Sequence, residues 1–206
     1  MEYSVIAWIN FGSMILFTSL FVILYNRSVS PAALENKIGP DAYAYCGRLR
    51  AISIFFLLLV MGNYIVYYFY PLPLALPAKF EWPYGISVSI AILIAIPSTY
   101  MVVKGMRDAG EETYAPHKET EMYGGIYEKI RHPQNWEYGY FFSVAFLLNI
   151  PFLVLISLIW LPLAYSMMRA EEKDLLIRFG LKYQKYMETT GMILPKREQP
   201  DDALSD

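Results

Sequence analysis

Long apolar stretches separated by short polar segments set the hydropathy pattern of the chain. Three of these stretches have the length of one membrane-spanning helix, at about 5–24, 49–69 and 84–103. A fourth, from about 136 to 168, is too long for one crossing. Asn149 and Pro151 interrupt it near its middle, because asparagine favours turns and proline cannot donate a backbone hydrogen bond. The pattern therefore predicts an all-α polytopic membrane protein with about five transmembrane helices, the last two forming a C-terminal helical hairpin.

The basic residues fall on one side of this arrangement. All of the 17 Lys and Arg residues except Lys79 lie in segments that five spans bring to the same membrane face. Lysine and arginine accumulate on the cytoplasmic side of short loops. We therefore predict an N-terminus outside and a cytosolic C-terminus. The first stretch is predicted to be a retained helix and not a cleaved signal, because only Glu2 is charged before it and it lacks a basic leader.

The composition is that of a membrane protein and excludes several classes of partner. Apolar residues make up 56% of the 206 residues, and charged residues make up only 17%. A net charge of −2 lacks the excess of basic residues that nucleic-acid binding needs, so no nucleic-acid partner is expected. One cysteine, Cys46, and two histidines are too few for an intramolecular disulfide or a usual zinc or iron ligand set. We predict no metal site.

The two ends of the predicted hairpin carry polar residues that the fold should bring together. Arg131 and His132 precede the hairpin and Glu171 and Glu172 follow it, so both pairs lie at the same membrane face. Pro133 fits the first helical position, which leaves unpaired N–H groups that suit a carboxylate or a phosphate. The two glutamates suit an ammonium group or ribose hydroxyls. The alternative is that these residues are only flanking cations and solvated first-turn glutamates, and the spacing fits both interpretations.

A predicted amphipathic helix follows the hairpin in "EEKDLLIRFGLKYQKYM", residues 171–187. One stripe of this helix is apolar and aromatic, and the opposite side carries charges that include Asp174 and Arg178. Such a helix lies on the inner membrane surface. Its residues Tyr183 and Tyr186 either anchor it there or form a wall of a cofactor pocket. The polar residues 196–206 are predicted to be disordered.

The segment 104–129 is rich in charge, glycine and proline, and it is longer than a simple connection needs. We interpret it either as a lid, in which Glu111, Glu112 and His117 close over a cofactor, or as a solvated loop. Residues 1–195 are predicted to form one integral membrane domain, with a cofactor region at about 104–195.

Two sequences on either side of the hairpin, "GGIYEKIRHP" and "RAEEKDLLIRFGLKYQKYMETTGMILP", resemble the isoprenylcysteine carboxyl methyltransferase family of integral membrane methyltransferases. The resemblance covers 124–195, about a third of the chain. Its elements are Gly125, Tyr127, the triplet Arg131-His132-Pro133, the pair Glu171-Glu172, and Phe179, Gly180, Tyr183 and Tyr186. The resemblance implies S-adenosylmethionine bound at the cytosolic face. It also implies a lipophilic acceptor that enters from the bilayer, a carboxylate such as a prenylcysteine-like substrate.

The resemblance further implies roles for individual residues. The cofactor-binding residues would be Gly124, Gly125, Tyr127, Arg131, His132, Pro133, Gln134, Glu171, Glu172 and Tyr183. Arg131 and His132 would face the cofactor carboxylate, and the two glutamates would face its amino or ribose groups. The catalytic candidates are Arg131 and His132, which belong to the matched motif, and Glu137, which is a candidate only as a carboxylate that could act as a base. A carboxylate acceptor is already ionised and needs no general base, whereas a lipid amine must lose a proton to a base such as Glu137 or His132.

Two positions depart from the family pattern. Asn135 and Glu137 stand where the family usually carries a tyrosine and a glycine. This polar pair either suits a substrate other than prenylcysteine or forms hydrogen bonds within the first helical turn.

Two other functions compete with methyl transfer. One is that of a membrane reductase of the sterol type, which uses a nicotinamide cofactor. The other is that of a non-catalytic membrane protein that binds a lipid or small molecule. Ligand binding separates the three, because a methyltransferase binds S-adenosylhomocysteine, a reductase binds a dinucleotide, and a lipid-binding protein binds neither.

Overall fold

The described chain is helical. The computed structural model describes residues 2–113, 116–118 and 124–196. The α-helices are α1 (Glu2–Ser28), α2 (Pro31–Ile38), α3 (Asp41–Phe69), α4 (Tyr84–Ala109), α5 (Gly139–Leu147), α6 (Pro151–Ser157), α7 (Trp160–Phe179) and α8 (Leu181–Thr189). Short 3₁₀ segments cover Gly110–Thr113, Gly125–Glu128 and Pro133–Tyr138. The predicted disordered tail at 196–206 lies outside the described residues, except for Lys196.

Within the described residues, four helical stretches are long and apolar enough to cross a membrane: Ser4–Ser28, Asp41–Phe69, Tyr84–Thr113 and Pro151–Phe179. They confirm the prediction of an all-α, multi-pass membrane protein. The fifth predicted span, the entering arm of the hairpin, is shorter, since Pro133–Tyr138 is 3₁₀ and α5 has 9 residues. Because a 3₁₀ segment rises about 2.0 Å per residue, this arm is about 25 Å long, against a hydrocarbon thickness of about 30 Å.

The predicted break in the last apolar stretch is a turn with specific partners. Asn149 adopts a positive φ of 62°, which asparagine tolerates better than most residues, and Pro151 begins α6. The Asn149 Oδ1 accepts a hydrogen bond of 2.6 Å from Ser87 in the first turns of α4. Lys79 Nζ donates to the Leu148 carbonyl at 2.8 Å. The hairpin turn therefore lies at the same end of the bundle as the connection between α3 and α4.

The segment predicted as one amphipathic helix is divided at Gly180, which differs from the expectation. The first half continues α7 to Phe179, and α8 begins at Leu181. Gly180 adopts φ +55°, a conformation that glycine takes without the steric cost of a Cβ, so α7 ends there. Asp174 and the Arg178 side chain are buried, although the sequence pattern predicts both on the solvated side. Asp174 and Arg178 therefore point into the protein, whereas Lys173 is exposed.

Aromatic packing holds the hairpin against the first helices. Trp160 stacks on Phe141 with 4.4 Å between ring centroids and on Tyr138 at 5.2 Å, and Phe21 of α1 meets its edge at 5.8 Å. In a bilayer such close packing, more than burial from water, stabilises helix association. A Cβ added at Gly139 would lie 2.3 Å from Ser98 Oγ, so the entering arm lies directly against α4. These contacts fix the position of the residues at the start of the arm.

Candidate functional site

A cavity of about 400 Å³ lies where the two ends of the hairpin meet the ends of α3, α4 and α8. Its polar lining includes Arg50, Glu112, Arg131, His132, Gln134, Glu137, Glu171, Asp174 and Arg178. Its aromatic lining includes Tyr25, Tyr127, Tyr140, Phe141, Phe179, Tyr183 and Tyr186. The structure thus brings most of the predicted site residues to one place, at the end of the bundle opposite Lys79.

Glu172 is the centre of a buried ion network at the exit of the hairpin. Its side chain is 1% exposed. One carboxylate oxygen lies 2.7 Å from Arg131 Nη2 and 2.8 Å from Arg131 Nε, which is a paired contact with one guanidinium. The other oxygen accepts a hydrogen bond of 3.0 Å from Arg169 Nη1. Glu172 therefore connects the entry of the hairpin to its exit, and charge-assisted hydrogen bonds of this kind are strong.

Arg131 is engaged on all sides by the protein itself. Besides Glu172, its guanidinium donates to the backbone carbonyls of Met187, at 3.3 Å, and Thr190. Its own backbone N–H donates to the Gly191 carbonyl at 2.8 Å, and the next N–H donates to the Met192 carbonyl at 2.9 Å. These bonds attach the chain after α8 to the hairpin entry. The predicted contact of Arg131 with a cofactor carboxylate stays a prediction.

His132 is buried between the two glutamates. Its Nδ1 lies 3.4 Å from Glu171 Oε2, and its Nε2 lies 3.3 Å from Glu172 Oε1. Burial lowers the pKa of His132, but the two carboxylates outweigh it, so the pKa is raised above its ordinary value. The protonated imidazole can donate from both nitrogens and neutralise part of the charge of both glutamates. His132 thus fixes the position of Glu171 relative to the ion network.

Glu171 is the exit glutamate that faces the cavity. Its side chain is 31% exposed, against 1% for Glu172, and it lines the cavity whereas Glu172 does not. The two adjacent glutamates point to different sides because neighbouring residues are about 100° apart around a helix. Of the two predicted glutamates, Glu171 is the one that a ligand in the cavity can reach.

The predicted glycines do not line the cavity. Gly125 adopts φ +66°, and a Cβ there would lie 2.3 Å from Asp108 Oδ2. The same carboxylate oxygen accepts a hydrogen bond of 2.7 Å from the Ile126 N–H. In the structure, the glycine at position 125 is therefore needed for a close contact with α4. Any approach of Gly124 or Gly125 to a cofactor stays a prediction.

Replacing Gly125 by alanine is expected to destabilise the protein by about 1 to 2 kcal/mol, because a left-handed backbone is unfavourable for a residue with a Cβ. The measurement is the thermal unfolding midpoint in detergent. Gly124→Ala is the control, since Gly124 has φ −99° and, among the residues that the structure describes, its added Cβ would meet Glu128 Oε1 at an ordinary contact distance of 3.6 Å. Equal midpoints for the two variants would contradict the role given to Gly125.

Tyr127, Gln134 and Tyr186 form one hydrogen-bonded wall of the cavity, and the Tyr183 ring lies 5.5 Å from that of Tyr186. Gln134 Nε2 donates to the Tyr127 hydroxyl at 3.0 Å and to Thr113 Oγ1 at 3.2 Å. The Tyr186 hydroxyl donates to the Tyr127 carbonyl at 2.5 Å. Burial raises the pKa of Tyr127 and of Tyr183, and it raises the pKa of Tyr186 to about 12. These hydroxyls stay protonated at neutral pH and can act as hydrogen-bond donors.

The start of the hairpin is not the α-helical N-terminus that was predicted. Pro133 does occupy the first position, but the segment that it begins is 3₁₀ as far as Tyr138. Packing accounts for this, because Gly105 of α4 lies so close that a Cβ there would be 3.0 Å from Pro133 Cγ and Gln134 Cγ. The dipole of six 3₁₀ residues is a weaker anion site than that of a full helix.

Sequence reasoning missed a second buried ion pair at the cavity. Arg178 Nη1 lies 2.9 Å from Glu112 Oε1, with the two side chains 7% and 5% exposed. Glu112 also accepts from the His117 N–H at 2.9 Å, and Arg50 Nη1 donates to the Glu112 carbonyl at 3.0 Å. Glu112 was expected either in a lid or in a solvated loop, and it is buried in this cluster. The spacing of Glu171, Asp174 and Arg178 places them on one helical face and could have indicated that Arg178 lies on the same side of α7 as Glu171.

Asp174 has a structural role that was also missed. Its two carboxylate oxygens accept hydrogen bonds from Ala32 N, at 3.2 Å, and Ala33 N, at 2.9 Å. These are N–H groups in the first turn of α2, which otherwise lack a partner in the helix. Asp174 thus holds α2 against α7 from 142 residues away in the chain.

Comparison with known proteins finds no matching family model and no matching curated protein. The chemistry of the cavity therefore has to follow from its own residues.

One side of the cavity is apolar and follows the membrane-spanning helices. Along α3, the lining passes from Arg50 through Ile54 and Leu58 to Met61. At about 1.5 Å per helical residue, this wall is about 16 Å long. Val102 and Met106 of α4 line the cavity as well. A ligand that fills it would place a polar group at the charged end and an apolar tail along α3.

Proposed function

We propose that the protein transfers a methyl group from S-adenosylmethionine to a lipophilic acceptor at the membrane face that carries the basic residues. The observation that supports this most is a cavity of about 400 Å³ that joins a charged end with both signs of charge to an apolar wall along α3. Cavities of this size and mixed lining are typical of small-molecule sites. The resemblance of residues 124–195 to integral membrane methyltransferases supports the same function.

The residues at the charged end fit the groups of this cofactor. S-adenosylmethionine carries an ammonium, a carboxylate, a ribose diol and an adenine, and so requires both signs of charge and an apolar wall. Glu171 faces the cavity and would hold the ammonium group. Arg50 Nε is buried at the cavity without a hydrogen-bond partner and would donate to the carboxylate. Tyr127 and Tyr183 would supply the aromatic wall.

The surrounding residues hold this arrangement in place. His132 positions Glu171, and Arg131 with Glu172 joins the two ends of the hairpin. When bound, the cofactor supplies a methyl group on a sulfonium. The chain's own contribution is to orient the acceptor and to exclude water, which accounts for much of the rate of a displacement at carbon. The carboxylate acceptor implied by the resemblance stays a prediction.

The proposal includes an orientation. The described C-terminal residues and the cavity lie at the end of the bundle where the basic residues collect, and the hairpin turn lies at the other end with Lys79. Basic loops favour the cytosolic side. We therefore propose that the cavity faces the cytosol and that the N-terminus is outside.

Binding of S-adenosylhomocysteine tests the proposed function. Titration into the detergent-purified protein is expected to show saturable binding by calorimetry. Glu171→Gln should weaken it about tenfold or more, because a charged hydrogen bond to the ammonium is lost. Glu188→Gln is the matched control, since Glu188 is exposed on α8 and does not line the cavity.

Three results would contradict the proposal: no saturable binding to the wild-type protein, unchanged affinity in Glu171→Gln, or equal losses in both variants. A nicotinamide dinucleotide that bound in place of S-adenosylhomocysteine would favour the reductase.

A further inference from the structure

Glu137 differs from the other carboxylates of the cavity in its partners. Glu171 contacts His132, Glu112 pairs with Arg178, and Asp174 accepts from the backbone of α2. Glu137 lines the same cavity and is partly exposed to it. The Tyr138 hydroxyl is within hydrogen-bonding reach of its carboxylate, but none of the ion pairs among the described residues includes it.

The surroundings of Glu137 suit a cation. Tyr25, Tyr140 and Phe141 line the cavity together with it. Aromatic faces attract ammonium groups, and a partly buried carboxylate without a basic partner gains from a positive ligand. Tyr25, Glu137 and Glu171 all line the same cavity. Glu137 lies on the entering arm of the hairpin and Glu171 on its exit, so the two carboxylates reach the cavity from different elements.

A carboxylate acceptor would be repelled at this position. It would carry its negative charge next to Glu137 in a partly enclosed cavity, where interactions between charges are stronger than in water. An amine gains from the same arrangement, because its ammonium form pairs with Glu137 before reaction. The apolar wall along α3 accommodates a hydrocarbon tail attached to that amine.

We propose that the acceptor is an amine with an apolar tail, and that Glu137 binds its ammonium form and takes the proton that the nitrogen must lose. This inference rests on the proposed methyl transfer and names its substrate class. The proton passes to the Glu137 carboxylate, which frees the nitrogen lone pair. That lone pair forms the new N–C bond while the C–S bond of the sulfonium breaks, and the electron pair of the broken bond stays on sulfur as a thioether. Glu137 then returns its proton to water.

Hexylamine and hexanoate, which have the same tail length and opposite charge, provide the test. Each is titrated into the detergent-purified protein at neutral pH by calorimetry. Hexylamine is expected to bind saturably, and hexanoate should bind about tenfold more weakly or not at all. The inference would be overturned if hexylamine failed to bind or if hexanoate bound equally well. This comparison needs only the wild-type protein, so it remains decisive even if a variant fails to fold.

Two variants then assign the amine to Glu137 and separate it from the cofactor site. Glu137→Gln should weaken the binding of hexylamine about tenfold or more and leave the binding of S-adenosylhomocysteine unchanged. Glu171→Gln should weaken the binding of S-adenosylhomocysteine and leave the binding of hexylamine unchanged. Unchanged hexylamine binding in Glu137→Gln would overturn the inference. If S-adenosylhomocysteine binds and hexylamine does not, the amine acceptor is wrong and the proposed function stands. If hexylamine binds through Glu137 and S-adenosylhomocysteine does not bind, the proposed function fails.

Discussion

Replacing Glu172 by alanine is expected to destabilise the protein by about 3 to 5 kcal/mol, the cost of leaving buried charges without their partner. Glu172 is 1% exposed, and Arg131, 8% exposed, depends on it for charge neutralisation. His132 and Arg169 also lose a carboxylate, at 3.3 Å and 3.0 Å. The measurement is the thermal unfolding midpoint in detergent. If the loss is at the higher end of this range, we expect that the folded variant cannot be isolated.

The matched control and a double variant test the physical reason. Glu188→Ala removes an exposed carboxylate from α8 and should change stability by less than about 0.5 kcal/mol. Arg131→Ala together with Glu172→Ala should cost clearly less than the sum of the two single variants, because each single variant leaves the other residue of the pair buried without its counter-charge and the double variant does not. If Glu172→Ala unfolded at the wild-type temperature, or if the two losses simply added, the network would not be what holds the hairpin ends together.

The fold could be predicted from the sequence where local chemistry decides it. The lengths of the apolar stretches set the helices, and Asn149 with Pro151 marks the hairpin turn because these residues suit a turn whatever surrounds them. The position of Lys79, apart from the other basic residues, identified the end of the bundle where that turn lies. The turn signals act within a few residues and the charge signal comes from the distribution of basic residues among the loops, so neither depends on tertiary contacts.

Where tertiary packing decides the local structure, the sequence did not reveal it. The entering arm begins as a 3₁₀ segment because α4 presses on Pro133 at Gly105. Gly180 is a different case, because a glycine that ends a helix is a local signal, and the continuous amphipathic stripe across it predicted one helix instead. The local sequence predicts that Asp174 is solvated. Its carboxylate is instead buried because it accepts hydrogen bonds from N–H groups of α2, 142 residues earlier in the chain.

The candidate site follows the same division. A hairpin must return its ends to one place, so the proximity of His132 to both glutamates could be predicted. Which of the two glutamates is buried against Arg131 and which faces the cavity could not be predicted. That depends on the rotation of α7 about its axis, which buries Glu172 and turns Glu171 to the cavity. Arg50 and the pair of Glu112 with Arg178 join segments that no motif connects, and the two residues of that pair are 66 positions apart.

The pair of Glu112 and Arg178 gives the second large expected effect. Arg178→Ala should destabilise the protein by about 3 to 5 kcal/mol, because it leaves Glu112 buried without its guanidinium at 2.9 Å. The unfolding midpoint in detergent measures this, with Lys182→Ala, an exposed cation on α8, as the control. Replacing both partners by apolar residues, Arg178→Met with Glu112→Leu, should recover most of the loss, since no charge is then left buried. A double variant as unstable as Arg178→Ala would show that the packing of Arg178 against Tyr43 and Phe179, 5.7 and 5.1 Å from its guanidinium, is what stabilises the cluster.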